Sequence, residues 1–142
     1  MRLVLDTATM VAAIRSDAGA SRRLLVAALK RRFVLLASVP LMIEYQAVMS
    51  RPEHLHASGL SGEDVNALLD SVAMVVEPVR LAFLWRPALR DPDDDMVLEA
   101  AVNGRADAIA TFNVRDFDRV SARFGVEVLT PREAWRRSET KT

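Results

Sequence analysis

Short unbroken apolar runs alternate along this chain with longer stretches in which apolar residues return every three or four positions. Arg2 to Asp6 is the first run; it ends in a lone acid and reads as a buried strand. Thr7 to Arg15 reads as a short helix. Across Ala20 to Arg32, Leu24, Leu25, Ala28 and Leu29 keep the helical period, with Arg22, Arg23, Lys30 and Arg31 on the other side. Phe33 to Ser38 predicts a second strand, and Pro40 opens a helix that runs to about Ser50. Arg51-Pro52 stops it, and a polar loop containing His54 and His56 follows. Ser61 caps the next helix, with Glu63 and Asp64 in its first turn and Val65, Leu68, Leu69 and Val72 as its apolar stripe.

Met74 to Val76 reads as a strand, and Val79 to Trp85 as an extended or irregular connection. Asp91-Pro92-Asp93-Asp94-Asp95 starts another helix, which buries Val97, Leu98, Ala101 and Val102 and stops at Asn103-Gly104. Ala108 to Thr111 is a strand, Asp116 to Phe124 a helix and Val126 to Leu129 a last strand. Thr130-Pro131-Arg132-Glu133 then opens a short helix carrying Trp135, with the spacing of a capping box. Strands alternating with helices predict an α/β sandwich around a mainly parallel sheet. The expected organisation is one domain over residues 1–137, with 138–142 as a frayed tail.

A length of 142 residues suits one core better than two, and 51% hydrophobic with 27% charged residues is globular composition. The absence of cysteine excludes disulfides, zinc fingers and thiolate nucleophiles. With both histidines in one polar stretch, neither a histidine-based triad nor a histidine-rich metal site is expected. Every apolar stretch falls short of the roughly 18 residues a membrane helix needs. Met1 to Asp6 lacks the apolar run of a signal peptide, so a cytoplasmic protein is the expectation.

Charge changes the picture more. The net charge is zero, yet residues 1–50 carry seven basic and three acidic residues, 51–100 four and ten, and 101–142 eight and six. Basic ends flank an acidic middle. Only Lys30 and Lys141 of the 19 basic residues are lysines. Arginine's planar fork suits bidentate contact with phosphate, although arginine-rich usage also follows from genomic base composition.

Several acids fall where a core should be apolar. Asp6 ends a buried strand, where ligands bind in parallel sheets, though it equally suits the cap of the following helix. Glu44 is the only charge between Arg32 and Arg51 and shares a helix face with Leu41 and Val48, as a site acid or as half of an ion pair. Asp91, Asp93 and Asp95 make an ordinary helix start. Asp94 differs, because Val97 and Leu98 follow it at helical spacing and place it atop the buried stripe. Asn113 ends a strand, and Asp116 lies at a helix start as a cap or a ligand.

One sheet could bring Asp6, Glu44, Asp94, Asn113 and Asp116 together. Two carboxylates about 4 Å apart repel by roughly 4 kcal/mol at an effective dielectric near 20, so such a cluster must protonate or hold a cation. Oxygen-only ligands select hard ions such as Mg²⁺ or Mn²⁺, which accept phosphate oxygens as well. The chemistry this implies is hydrolysis of a phosphodiester. Arg86 and Arg90 precede the acidic box and Arg115 lies between Asn113 and Asp116, which suits them to substrate phosphates or to pairing with the acidic middle.

The ordered set of Val4-Leu5-Asp6-Thr7, Glu44, Asp91 to Asp95 with Leu98-Glu99-Ala100-Ala101, Ala106-Asp107, Thr111-Phe112-Asn113, Arg115-Asp116-Phe117 and Val128-Leu129-Thr130-Pro131-Arg132-Glu133 resembles the PIN-domain ribonucleases. The likeness is to the VapC-like toxins of bacterial toxin–antitoxin systems and runs from Leu3 to Trp135. It implies a three-layer α/β/α fold, a homodimer, an antitoxin partner and Mg²⁺- or Mn²⁺-dependent cleavage of RNA. Asp6, Glu44 and Asp94 would then be the metal-binding acids. The family's fourth acid falls on Asn113, with Asp116 three residues on as its replacement. Ala8 stands where the family often has Asn or Ser.

Other readings use the same acids. A phosphate-accepting signalling domain wants a paired acid after the first strand and a lysine opposite, and an acid phosphatase-like nucleophile wants Asp where Ala8 stands. A non-catalytic binding module fits the altered site, and the resemblance also implies, as an alternative, a nuclease of RNA or DNA processing outside a toxin–antitoxin system.

Overall fold

The computed structural model describes residues 1–82 and 92–140, apart from the side chains at 92, 93, 119 and 120. Arg86, Arg90 and Asp91 lie outside the described residues. Among the described residues, five strands form one parallel sheet: β1 (Arg2–Leu5), β2 (Val34–Ala37), β3 (Glu77–Pro78), β4 (Ala108–Ala110) and β5 (Glu127–Leu129), in the order β3-β2-β1-β4-β5. Leu3 stands in register with Leu35 on one side and Ala108 on the other, and Leu5 with Ala110. Leu3, Val4, Leu5 and all of β4 are fully buried. A strand covered on both faces has no polar face to alternate with, which explains its continuous apolar runs.

The helices are α1 (Thr7–Arg15), α2 (Ala20–Leu29), α3 (Val39–Met49), α4 (Pro52–Ser58), α5 (Gly62–Val75), α6 (Pro92–Asn103), α7 (Val114–Ser121) and α8 (Pro131–Thr140). A single 3₁₀ turn, Ala122–Phe124, follows α7. Helix α6 packs on β1, β2 and β4, α7 and α8 meet β5, and α2 lies against both α1 and α8. The result is the three-layer α/β/α sandwich. No helix among the described residues is long and apolar enough to cross a membrane.

Connectivity positions the site. From β1 the chain goes to β2 and β3 on one side, then crosses to β4 on the other. Such a reversal of strand order leaves a crevice at the carboxyl ends of the two diverging strands. Here those ends are Leu5, followed by Asp6, and Ala110, followed by Thr111.

Several expected boundaries move, each for a local reason. The polar stretch with both histidines is helix α4, with Pro52 in its first turn and Gly59 at φ 75° as its left-handed C-cap. None of its residues is buried, so it lacks the stripe that reveals a helix. Met74 belongs to α5 and is exposed, and the strand follows at Glu77–Pro78, where no apolar run marks it. Helix α2 stops at Leu29 because Arg31 turns into the left-handed region at φ 59°. Helix α7 starts at Val114, ahead of the Asp116 start that the sequence implied.

The end of α6 also works differently from a glycine C-cap. The left-handed residue is Arg105, at φ 52°, and Gly104 serves close approach. A Cβ there would meet Val79 Cγ2 at 2.7 Å and the Ala100 carbonyl oxygen at 2.8 Å. The chain expected to fray from Ser138 is helical to Thr140. Ser138 is buried, and Glu139 pairs with Arg32 at 2.9 Å, which ties the last turn of α8 to the segment after α2.

Candidate active site

Asp6 is 2% exposed and serves two ends at once. It caps α1: Oδ1 accepts the Thr9 backbone N–H at 2.8 Å and the Thr9 hydroxyl at 2.6 Å. Oδ2 accepts the Thr111 hydroxyl at 2.5 Å, from the far strand of the crevice. The same Thr111 oxygen accepts the Asn113 N–H at 2.9 Å, so one buried hydroxyl links Asp6 to the Asn113 backbone. Burial pushes the Asp6 carboxyl above the usual carboxylate range, against the opposing pull of the Thr111 and Thr9 hydrogen bonds. Beneath it, the buried Tyr45 hydroxyl donates to the Leu5 carbonyl. Burial, then the nearby Asp6 charge, raises the Tyr45 phenol, which keeps it a donor.

A cleft of about 540 Å³ opens above Asp6. Glu44, half-buried on α3, and Asp94, half-buried on α6, line it together with Asn113. Four residues singled out in the sequence therefore share one cleft. Asp116 and Arg115 do not line it; both are exposed in the first turn of α7, where the Asp116 N–H donates to the Asn113 carbonyl at 3.0 Å. Asp95, taken as an ordinary helix-start acid, is 1% exposed, and Glu99, one turn on, is fully buried, so α6 buries a broader face than its apolar stripe implied.

The cleft also holds basic side chains that sequence reasoning passed over. Arg15 lines it from the last turn of α1, and Arg51 and His54 from the start of α4. Ala8, Val11, Ala12 and Arg15 fall at helical spacing behind Asp6, which was a legible signal for Arg15. Arg15 Nη1 stands 3.4 Å from His54 Nδ1. A guanidinium only donates, so any hydrogen bond here has the ring nitrogen as acceptor. An acidic floor thus faces a basic rim.

Among the described residues, no three acids or histidines stand close enough to form a metal site by themselves. A Mg²⁺ ion asks for less, since one or two carboxylates suffice while it keeps several waters. Asp6 offers such a carboxylate, already oriented by three donors, in a cleft with room for a hydrated ion. The Thr7 hydroxyl oxygen, also in the cleft lining, is buried without a hydrogen-bond partner, as expected of an atom that meets a ligand or its water. Asp6, Thr7, Glu44, Asp94 and Asn113 all offer oxygens to the cleft, and the chain has no cysteine. This set fits a hard divalent cation.

The sequence profile of the family described as PIN domain matches residues 2–115, which spans every cleft residue. No curated protein matches the chain.

Proposed function

Because the chain belongs to the PIN-domain family, whose members are generally nucleases that use divalent metal ions, we propose that it is a Mg²⁺- or Mn²⁺-dependent endoribonuclease. Its proposed role is the toxin of a bacterial toxin–antitoxin pair, acting in the cytoplasm as a homodimer held in check by a protein antitoxin. The observation that carries the nuclease reading is the Asp6 carboxylate, buried at the floor of the cleft and fixed from two elements.

Asp6 would hold the ion, with Glu44 and Asp94 reaching the waters it keeps and Asn113 as the neutral fourth group. When bound, a divalent cation lowers the pKa of the attacking water and neutralises charge developing on phosphorus. Thr9 and Thr111 keep Asp6 from rotating away. Arg15 and Arg51 offset the acids and present N–H donors to the phosphates of a strand entering the cleft. Without them an acidic cleft would repel a polyanion.

Asn113 favours a second reading, a weakly active or non-catalytic RNA-binding module, because it lowers the negative charge available to the ion. Metal-dependent cleavage separates the two. Asp94→Asn is expected to abolish cleavage of RNA in Mg²⁺ or Mn²⁺ while leaving the melting temperature close to the parent's. Cleavage undiminished in Asp94→Asn would make Asp94 a helix-start residue only.

A further inference from the structure

The basic ends of the sequence meet in space. Helix α2 carries Arg22 and Arg23, α8 carries Arg132 and Arg136, and the two helices pack on each other. This face is joined to the acid cleft by a series of hollows that share their walls. Ala12 and Ser16 line both the cleft and a second, mainly apolar cavity of about 510 Å³ containing Phe112 and Arg132. Arg132 also lines a third hollow with Arg23, Trp135 and Arg136. Arg23 and Trp135 in turn border a fourth, which reaches Lys30 and Arg32.

Charge and ring chemistry agree along this path. Arg22 and Arg32 are matched by Asp17, at 3.6 Å, and Glu139, at 2.9 Å, so Arg23, Lys30, Arg132 and Arg136 supply the surplus positive charge. Phe112 is 56% exposed although Thr111 before it is fully buried, so it serves no core. It precedes Asn113 of the cleft. Further along, the Arg23 guanidinium lies over the Trp135 ring, 5.0 Å from its centroid. An exposed ring at Phe112 and a guanidinium plane stacked on the half-buried Trp135, spaced among cations, are what an unpaired strand needs, bases on flat faces and phosphates on arginines. A duplex would hide its bases from such rings.

We infer that a single-stranded RNA leaves the acid cleft over Phe112 and Arg132 and follows the α2–α8 face to Trp135. This inference rests on the nuclease reading above and adds a base-stacking subsite beside the site of cleavage and a phosphate track beyond it. Arg132, Arg23 and Arg136 meet phosphates, and Phe112 holds the base nearest the cleft.

The test measures binding of a labelled oligouridylate to the full chain in chelator, by anisotropy, as salt is varied. Arg23→Ala, Arg132→Ala and Arg136→Ala should each flatten the dependence of log K on log salt by about 0.7 per lost phosphate contact. Phe112→Ala should weaken binding about 5- to 150-fold with the salt slope unchanged, and Phe112→Trp should restore it. In Mg²⁺, Arg23→Ala and Arg136→Ala should slow cleavage of the long strand while leaving a dinucleotide unaffected. If the parent cleaves RNA and all four alanine variants bind and cleave as it does, the track is wrong and the nuclease reading stands. A parent that neither binds nor cleaves any RNA removes both.

Discussion

Replacing Thr111 with valine tests whether the site is prepared before any ion arrives. Thr111 is fully buried, and its hydroxyl both donates to Asp6 and accepts from the Asn113 N–H. Thr111→Val keeps the volume but removes both bonds, leaving a buried carboxylate oxygen and a backbone N–H without that partner. A hydrogen bond to a charged group contributes about 1.5–3 kcal/mol, and the added methyl returns part of this, about 0.8 kcal/mol for a buried carbon. A net loss of about 1–2 kcal/mol corresponds to a fall in melting temperature of roughly 3–8 °C for a chain of this size. The second consequence is electrostatic. Thr111 provides the largest pull against the burial that raises the Asp6 carboxyl, so its loss raises that carboxyl further. Protons then compete better with Mg²⁺, and the pH at which Mg²⁺ begins to raise the melting temperature moves upward. Thermal melts across the acid-to-neutral range, with and without Mg²⁺, read both effects, and Thr111→Ser should recover both. If Thr111→Val melts with the parent and responds to Mg²⁺ at the same pH, the hydroxyl does not organise Asp6.

Four further outcomes are expected. Mg²⁺ at ten times its Kd should stabilise the parent by about 1.4 kcal/mol, beyond the effect of equal ionic strength of NaCl, and the Asp6→Asn, Asp94→Asn double variant should lose that response. Asp6 binds its proton more tightly folded than unfolded, so in chelator its contribution to stability declines as pH rises from the ordinary aspartate range through the raised value; Asp6→Asn should flatten that slope in denaturant titrations. Gly104→Ala should destabilise by about 1–3 kcal/mol in the same titrations, because its Cβ is driven against Val79 and the Ala100 carbonyl. Asn113→Ala should slow cleavage more than Asp116→Ala, since only Asn113 lines the cleft; the opposite order in single-turnover assays would return the fourth acid to Asp116.

The parts of the molecule legible in the sequence are those where burial writes a period or a run. Helix α1 falls where its pattern placed it, and β1, β2 and β4 follow from apolar runs that only a sheet covered on both faces explains. Asp6 stood out at the end of a buried strand, Glu44 as a lone charge in an apolar helix and Asp94 atop a buried stripe, and all three line the crevice. Helix α4 and strand β3 left no such mark, being an exposed turn-bounded helix and a two-residue exposed edge containing proline. Arg51 and His54 were hidden for the same reason, since their place in the cleft depends on α4 being a helix. Thr111 was invisible as a positioning group because its hydrogen bond to Asp6 spans 105 residues. The expected role of Gly104 failed because sequence cannot distinguish a glycine that needs a left-handed backbone from one that needs empty space.

That long span also has a consequence in time. β1 is the central strand, yet its neighbour β4 and the Thr111 that fixes Asp6 arrive more than a hundred residues later. A nascent chain can join β1 to β2 early, but its crevice has only one wall until β4 emerges from the ribosome and enters the sheet. An incomplete chain released before that point would carry Asp6 with neither its Thr111 partner nor the Asn113 side of the cleft. If the protein does cut RNA, a cell translating its messenger faces the finished nuclease and not its fragments.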